Sequence, residues 1–266
     1  MIKERDISDV ALNERPLEGM KVLELGQILA GAFTTTILGY FGAEVIKVEP
    51  PGEGDPIRNW RTVKDGTSLW WWSLARNKQS ITINLKSHEG QQLVRQLCEQ
   101  CDVLIENFRP GQMEKWGLGP TEIKQINPSL IYTRISGYGQ TGPYSSDPGF
   151  ASVCEGFGGF RYINGEPGEI PVRPNLSLGD TLAGIHAALG VCMAYIRCLR
   201  QGEGKGQVVD VSIFESVFNM LEAVVPEYSG AGEVREPSGS TIKGIVPSNT
   251  YRCKDGKLVI IGANTK

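Results

Sequence analysis

Histidine and cysteine, on which many catalytic and metal sites depend, are scarce in this sequence. Its 266 residues contain only two histidines, His88 and His186, and six cysteines. We expect His88 at the exposed start of a helix and His186 inside an apolar helix, so we interpret neither as catalytic. Serine–histidine or cysteine–histidine catalysis then lacks its general base. The cysteines are too few for a disulfide-bonded scaffold in a chain of this length.

Long apolar runs and an excess of positive charge are also lacking. The most apolar stretches, residues 182–199 and 258–261, are interrupted by polar residues or very short, so the sequence predicts no membrane span. A net charge of −3 argues against a nucleic-acid-binding protein. Residues 1–15 carry charges of both signs without an apolar segment, so we expect no secretory signal and a cytoplasmic location.

The glycine motifs of common nucleotide-binding proteins are missing. Gly26 and Gly31 follow the first predicted strand without the G-x-G-x-x-G spacing that brings the backbone close to a pyrophosphate. The phosphate-binding motif G-x-x-x-x-G-K-[ST] and the hydrolase motif G-x-S-x-G do not occur. An NAD-dependent oxidoreductase stays as an alternative that a dinucleotide titration would test.

Cys98 and Cys101 form a C-x-x-C motif, which can indicate a redox or zinc site. The motif falls at the end of a predicted helix, whereas the helix dipole lowers a thiol pKa at the start of a helix. We therefore interpret both residues as partly buried helix cysteines. The other cysteines show no zinc-ligand spacing, so we predict no metal site.

Strand-like and helix-like segments alternate along most of the chain. Strands are predicted at residues 20–25, 44–48, 80–83, 103–106, 130–135 and 207–212. Helices are predicted at residues 30–41, 88–101, 112–116, 121–126, 181–200 and 213–225. This alternation predicts an α/β fold, a Rossmann-like parallel sheet with helices on both faces.

Glycine is abundant, with 33 residues, or about 12% of the chain against a usual share of about 7%. A Gly/Pro-rich stretch, residues 137–149, is expected to pass over the carboxyl ends of the strands, where open α/β sheets bind ligands.

The chain divides into three parts by composition. Residues 1–15 form a polar N-terminal arm, and residues 16–227 form the large α/β domain. Residues 228–266 comprise a Gly/Ser/Pro-rich linker and a predicted β-hairpin, which we interpret as the incomplete beginning of a second, smaller domain.

Asp180 precedes the longest apolar helix and follows Gly179. One interpretation is a plain N-cap residue. The other is a nucleophile, because a carboxylate near a helix N-terminus is held ionised by the dipole and by backbone donors, and Gly179 would leave room for a substrate.

Six segments together carry a resemblance to a known family. They are residues 16–25, 42–52, 76–81, 102–111, 137–143 and 178–180. In this order they resemble the class III CoA-transferase family, which includes formyl-CoA transferase, carnitine CoA-transferase and α-methylacyl-CoA racemase. The resemblance covers nearly the whole chain from Pro16 onward and implies that residues 16–227 bind CoA.

The resemblance implies that Asp180 is the catalytic nucleophile. It would form an aspartyl–acyl anhydride and then an aspartyl-CoA thioester, and CoA would pass from an acyl-CoA to a free carboxylic acid. The resemblance also implies that CoA and its esters are substrates and that no cofactor is permanently bound. The resemblance further implies a homodimer, with interlocked rings if the protein is full length.

The residues that correspond to the family's CoA-binding positions follow the first, third and fourth predicted strands. They are Leu29, Ala30, Asn84, Lys86, Asn107, Phe108, Arg109 and Lys115. Of these, Arg109 and Lys115 are the cations expected to face the phosphates in one groove.

Three departures from the family pattern bear on specificity. Pro50 stands where some transferases present an arginine to the adenine. Phe150 stands where the racemases require a proton-transferring histidine, which disfavours that activity. Residues 239–247 lack the glycine run of formyl-CoA transferase, so a larger dicarboxylic acid or a carnitine-like acyl group is as plausible as formate or oxalate.

Family members continue well beyond the point that corresponds to Lys266. We therefore expect the C-terminal part to be missing. This keeps open a second class of function, a non-catalytic CoA-binding fragment or one chain of a split enzyme.

Overall fold

The computed structural model describes residues 15–201 and 205–262. The predicted polar arm, except for Arg15, lies outside the described residues. The architecture follows from six strands that pair in parallel.

The strands of the structure are β1 (Lys21–Glu24), β2 (Glu44–Glu49), β3 (Val63–Lys64), β4 (Thr67–Ser68), β5 (Lys78–Thr82), β6 (Val103–Glu106), β7 (Ile131–Ser136), β8 (Val208–Ser212), β9 (Ser248–Arg252) and β10 (Leu258–Gly262). The main sheet has the order β5-β2-β1-β6-β7-β8, while β3 and β4 form a separate two-stranded sheet. Strands β2 and β5 lie on one side of β1, and the later strands β6, β7 and β8 lie on the other side. This is the strand order of a Rossmann-like sheet.

The helices of the structure are α1 (Ala30–Tyr40), α2 (Leu69–Leu74), α3 (His88–Cys98), α4 (Gln112–Lys115), α5 (Pro120–Ile126), α6 (Ala151–Phe157), α7 (Phe160–Ile163), α8 (Leu178–Gln201), α9 (Ile213–Phe218) and α10 (Val224–Ala231). Helices α1 and α8 pack on one face of the sheet and α3 and α5 on the other. Neighbouring strand residues alternate between these layers, as Val22 joins one core and Leu23 the other. The predicted α/β fold is confirmed.

The predicted helix at residues 213–225 is wrong in its extent. The structure has two helices, α9 and α10, separated by a turn in which Glu222 takes a φ of +53°. A non-glycine residue in the left-handed region cannot continue an α-helix, so the chain changes direction here. Helices α6 and α7 lie in a stretch for which the sequence suggested no helix.

Helix α8, with 24 residues, is the one helix in the described ranges that is long and apolar enough to cross a membrane. Its small residues nevertheless pack closely on α1. A Cβ atom added at Gly184 would lie 3.1 Å from the carbonyl oxygen of Ala30 and 3.0 Å from Phe33. Ala183 and Ala187 are fully buried beside it. This close approach makes α8 part of the helical layer of the α/β fold.

The predicted C-terminal hairpin is confirmed. Strands β9 and β10 pair antiparallel, and Gly256 occupies the turn with a φ of +83°. Every residue of β10 is exposed, and the hairpin does not pair with the main sheet. That it begins a second domain stays a prediction.

The C-x-x-C cysteines are buried, Cys98 as the last residue of α3 and Cys101 just before β6. Burial raises the pKa of Cys98 to about 12 and that of Cys101 to about 11, so both are unreactive thiols at neutral pH.

We expect a thiol reagent at pH 7.5 to label the exposed Cys253 in the native protein and to spare Cys98 and Cys101 until denaturant is added. Peptide mapping by mass spectrometry checks this, and equal labelling of Cys98 and Cys253 in the native protein would contradict it.

Candidate active site

A cavity of about 360 Å³ opens at the carboxyl ends of the central strands. Its walls come from the turn after β1 (residues 27–30), the loop after β6 (residues 107–110) and the end of β7 (residues 135–137). Because β1 and β6 are neighbours whose chains leave toward opposite sides of the sheet, a crevice forms between them. Open parallel sheets bind their ligands in this crevice.

The structure brings most of the predicted site residues to this cavity. Asp180 lines it together with Leu29, Ala30, Asn107, Phe108 and Arg109. Asn84, Lys86 and Lys115 are exposed and lie outside the lining. The side chain of Asn84 accepts a hydrogen bond from the Lys86 N–H at 3.1 Å, which forms the turn before α3. A role for these three residues in CoA binding stays a prediction.

Asn107 joins two walls of the cavity. Its Oδ1 accepts the N–H of Gln27 at 2.8 Å, and its Nδ2 donates to the Gln27 carbonyl at 2.8 Å. A Cβ atom at Gly26 would lie 3.2 Å from Asn107 Oδ1 and 3.1 Å from the Cα of Gly31. The two glycines noted in the sequence therefore allow the turn after β1 and the loop after β6 to approach closely.

A buried ionic network lies beneath the turn after β1. Lys47 Nζ is 2.7 Å from Glu24 and 2.8 Å from Asp55, and Lys78 Nζ is 3.0 Å from Glu24. All of these side chains are at most 2% exposed. Burial opposes ionisation of Glu24, but Lys47 and Lys78 outweigh it and lower its pKa to about 2. Glu24 is therefore ionised at neutral pH, held in that state by the two lysines.

This network determines the backbone conformation at the floor of the cavity. The Asp55 carboxylate accepts the N–H of Ile28 at 3.1 Å, and Lys47 donates to the Gly26 carbonyl at 2.8 Å. Ile28 has a φ of +66°, which is strained for a β-branched residue and persists only where surrounding contacts impose it. This network was not predicted from the sequence, although a lysine within an apolar strand, Lys47, is a sequence feature that indicates a buried ionic partner.

A second buried ion pair supports the loop after β6. Glu106 accepts hydrogen bonds from Arg134 Nε and from the backbone N–H of Phe108, both at 2.8 Å. Burial raises the pKa of Glu106 to about 7, although Arg134 counteracts it. Phe108 packs edge-on against Trp116, with ring centroids 5.1 Å apart. The contacts of Phe108 with Glu106 and Trp116 thus fix the loop, while Arg109 stays exposed at the cavity.

Asp180 is the third residue of α8, so the interpretation as an N-cap is wrong. Its environment also differs from the expectation of backbone donors, because no described residue donates a hydrogen bond to its carboxylate. Burial raises its pKa to about 6; Glu155 adds to this effect and Arg173 opposes it. Above pH 6 the carboxylate is ionised yet poorly stabilised, which is the state expected of a reactive nucleophile.

Glu155 on α6 is a buried carboxylate beside Asp180 that the sequence analysis missed. It is 0% exposed, and it accepts the backbone N–H of Gly179 at 3.1 Å, in the first turn of α8. Arg161 contacts it at 3.4 Å. Glu155 therefore positions the first turn of α8 and places a negative charge near Asp180. A lone acidic residue within the short segment 151–157 was the available signal.

Gly179 serves packing, which corrects the expectation that it leaves room for a substrate. It is buried, and a Cβ atom there would lie 3.2 Å from Ala151 and 3.2 Å from Ile213. Helix α8 can therefore approach α6 and α9 at this point only with a very small residue.

In the ranges that the structure describes, no cluster of three metal-ligating side chains occurs.

The fold and this site define a class of protein. The sequence profile of CoA-transferase family III matches residues 17–266, and the chain belongs to this family. Among its relatives, the succinyl-CoA–D-citramalate CoA-transferase of Chloroflexus aurantiacus is 51% identical over 94% of the chain. The human succinyl-CoA:glutarate CoA-transferase is 37% identical over 96% of the chain.

Solved structures agree with this assignment. A CAIB/BAIF family protein from Brucella suis superposes with a TM-score of 0.86 at 36% identity, covering 93% of this chain and 66% of its own. The chain spans 62% of the length of the citramalate enzyme and 58% of the human enzyme.

Proposed function

We propose that the protein transfers CoA from an acyl-CoA thioester to a free carboxylic acid, with Asp180 as the nucleophile. The observation that carries this proposal is the position of Asp180. Its carboxylate faces the cavity at the carboxyl ends of β1 and β6, without a hydrogen-bond partner among the described residues and with a pKa of about 6. Arg109 on the same cavity offers a cation for the phosphates of CoA.

The proposed reaction proceeds through covalent intermediates on Asp180. Its carboxylate oxygen attacks the thioester carbonyl carbon, the C–S bond breaks, and an anhydride and CoA thiolate result. The thiolate then attacks the Asp180 carbonyl carbon, which releases the donor acid as a carboxylate and leaves an aspartyl-CoA thioester. The acceptor carboxylate attacks this thioester and displaces the thiolate again. Attack of the thiolate on the acceptor's carbonyl carbon gives the new acyl-CoA and regenerates Asp180.

Each anhydride keeps the activation of the thioester, so the site must exclude water while an anhydride exists. The walls of the cavity include the apolar residues Leu29, Phe108 and Ile213, which favour the exclusion of water from this part of the site.

We further propose dicarboxylic acids as substrates, with succinyl-CoA as the acyl donor. The support comes from the names of three related enzymes. The relatives at 51%, 45% and 37% identity are named as CoA-transferases between succinyl-CoA and citramalate, malate and glutarate, respectively. We also propose a cytoplasmic location and a homodimer for this protein.

The site offers little support for racemase activity. Phe150, which replaces the required histidine, lines the cavity and is 71% exposed. Neither histidine is among the cavity-lining residues: His88 begins α3, and His186 hydrogen-bonds the Leu182 carbonyl at 2.8 Å. A proton transfer at the α-carbon therefore lacks a histidine base in this part of the chain.

The test of the proposed function is a matrix of acyl-CoA donors and acid acceptors incubated with purified protein, with CoA esters followed by mass spectrometry. We expect a new ester whenever succinyl-CoA is combined with a dicarboxylic acceptor other than succinate. A complete absence of exchange for every pair would reject the proposal for this chain. Full activity of the 266-residue chain, compared with any longer protein from the same locus, would reject the alternative of a non-catalytic fragment.

Glu155→Gln provides a prediction for the pH dependence of this activity. The charged groups near Asp180 are Glu155, which raises its pKa, and Arg173, which lowers it. Removing the Glu155 charge lowers the pKa of Asp180, so we expect the acid limb of kcat/KM against pH to move to lower pH with little change in the plateau. The glutamine oxygen can still accept the Gly179 N–H.

The matched control for this experiment is Glu99→Gln, an exposed position after α3. It should leave the pH profile unchanged. An acid limb that stays in place in Glu155→Gln, with normal folding shown by circular dichroism, would contradict the electrostatic role of Glu155.

A further inference from the structure

Arg173 is held at the wall of the cavity by its own loop. Its Nη2 donates to the Leu176 carbonyl at 2.8 Å, and its Nε lies 3.4 Å from the Pro174 carbonyl. In residues 15–201 and 205–262, no carboxylate forms an ion pair with this guanidinium, and Nη1 has no hydrogen-bond partner. Arg173 therefore presents an uncompensated positive charge with unused donors.

The charge faces the same space as the nucleophile. The charged residues that line the cavity are Arg109, Arg173, Asp147 and Asp180. Arg173 lowers the pKa of Asp180, so its guanidinium is within electrostatic range of that carboxylate. It nevertheless does not pair with Asp180, which leaves both groups available to a ligand between them.

We propose that Arg173 binds the distal carboxylate of a dicarboxylic substrate while Asp180 reacts at the other end. This inference rests on the proposed CoA transfer. A substrate carboxylate inside a cavity loses hydration and requires a charged partner. A guanidinium supplies parallel N–H donors that match the two carboxylate oxygens. Arg173 would thereby make the site select dicarboxylic over monocarboxylic acids.

Arg109 is the other cation of the cavity, and its position suits a different part of the substrate. It follows β6, next to Phe108, in the loop after a central strand. Parallel α/β sheets bind phosphates at such loops. Arg173 belongs instead to the segment that leads directly into α8 and Asp180. Arg109 should therefore affect all CoA esters equally, whereas Arg173 should affect only those with a second carboxylate.

The experiment compares acceptors of equal size that differ only in the distal group. Succinate carries a second carboxylate, and succinamate carries a neutral amide in its place. Butyryl-CoA is the donor for both acceptors, because succinyl-CoA would itself contact Arg173 and would give no net reaction with succinate. We expect the wild type to prefer succinate and Arg173→Met to lose on the order of 100-fold in kcat/KM for succinate, with a much smaller change for succinamate.

Further variants separate this role from a structural one. Arg173→Lys keeps the charge without the planar fork and should recover part of the preference for succinate. Arg109→Met should lower kcat/KM for both acceptors by the same factor. Arg197→Met, on the exposed face of α8, removes an equal charge outside the cavity and should change neither.

The outcomes distinguish the two proposals. A wild type without transfer for any pair overturns the proposed function itself. A wild type that transfers CoA but shows no preference for succinate, or an Arg173→Met variant that loses both acceptors equally, overturns the role of Arg173 and leaves the transferase proposal intact. If circular dichroism shows that Arg173→Met is unfolded, the Arg173→Lys variant decides. A ratio of kcat/KM for succinate to kcat/KM for succinamate that equals the wild-type ratio overturns the inference.

Discussion

Asp180→Asn and Asp180→Ala are expected to abolish CoA transfer, lowering kcat by roughly 10⁴-fold or more. Neither side chain can form an anhydride or hold CoA as an aspartyl thioester. The measurement is the rate of formation of the new CoA ester with succinyl-CoA and a dicarboxylic acceptor. Alanine is included because asparagine can deamidate to aspartate and restore a small activity.

Two controls belong to the Asp180 variants. Binding of CoA, measured by calorimetry, should persist, because Arg109 and the turn after β1 do not depend on the Asp180 side chain. In the wild type, hydroxylamine added during turnover should convert Asp180 to a hydroxamate that peptide mapping locates. Undiminished transfer by Asp180→Ala, or a hydroxamate on a different residue, would refute the proposed mechanism.

The pH dependence of the wild type follows from the same residue. Only the ionised carboxylate is nucleophilic, and burial raises the pKa of Asp180 to about 6. We therefore expect kcat/KM to increase with pH through a midpoint near 6 and to level off above it.

Ionisation of Asp180 should also affect stability. Since the folded-state pKa of about 6 exceeds the ordinary value of 3.8, the ionised group destabilises the fold as pH rises from 3.8 to about 6. Asp180→Asn should consequently be at least as stable as the wild type at pH 7.5.

Lys47→Met is expected to destabilise the protein by about 3–5 kcal/mol. Lys47 is 1% exposed and pairs with both Glu24 and Asp55, so methionine would leave buried negative charge that Lys78 alone cannot balance. The measurement is the free energy of unfolding in urea. Because Asp55 also holds the N–H of Ile28, the cavity floor should loosen, and CoA affinity should fall with stability.

The control for Lys47→Met is the same substitution at Lys64, an exposed residue of β3. We expect it to change stability by no more than about 0.5 kcal/mol. Similar unfolding free energies for the Lys47→Met and wild-type proteins would show that the buried network contributes nothing net.

The buried network also predicts behaviour in acid. Lys47 and Lys78 lower the pKa of Glu24 from 4.5 to about 2 against the effect of burial. A carboxyl with a lowered folded-state pKa contributes stability that is present above pH 4.5 and is lost as pH falls toward 2. This contribution should be smaller in Lys47→Met.

Local sequence patterns were sufficient for the order and type of the main elements. Compact apolar runs such as residues 103–106 are short and bounded by polar residues, so they predict strands whether or not their partners are known. The C-terminal hairpin depends on a local Asp-Gly turn at Gly256 and was likewise predictable. Helix extent was less predictable, because the break between α9 and α10 depends on the backbone at Glu222.

The candidate site was predictable where the family motifs carry it and not elsewhere. Leu29, Ala30 and Asp180 could be selected from the resemblance, and they do meet at one cavity. Glu155 and Arg173 could not, because their importance arises only from their distance to Asp180 in space. The role of Asn107 in joining the walls of the cavity depends on contact with Gln27, which is 80 residues away in the chain.

The alternation of strand-like and helix-like segments and the order of the motifs were enough to establish an α/β chain of family III with a candidate nucleophile at Asp180. The ionisation of Asp180 was decided by the tertiary structure alone. A pKa depends on burial and on the charges within a few ångströms, and these charges come from α6 and from the loop before α8. The position of Asp180 in the sequence predicted a carboxylate stabilised by the helix N-terminus, whereas the fold places Asp180 beside buried Glu155 and without a hydrogen-bond donor among the described residues.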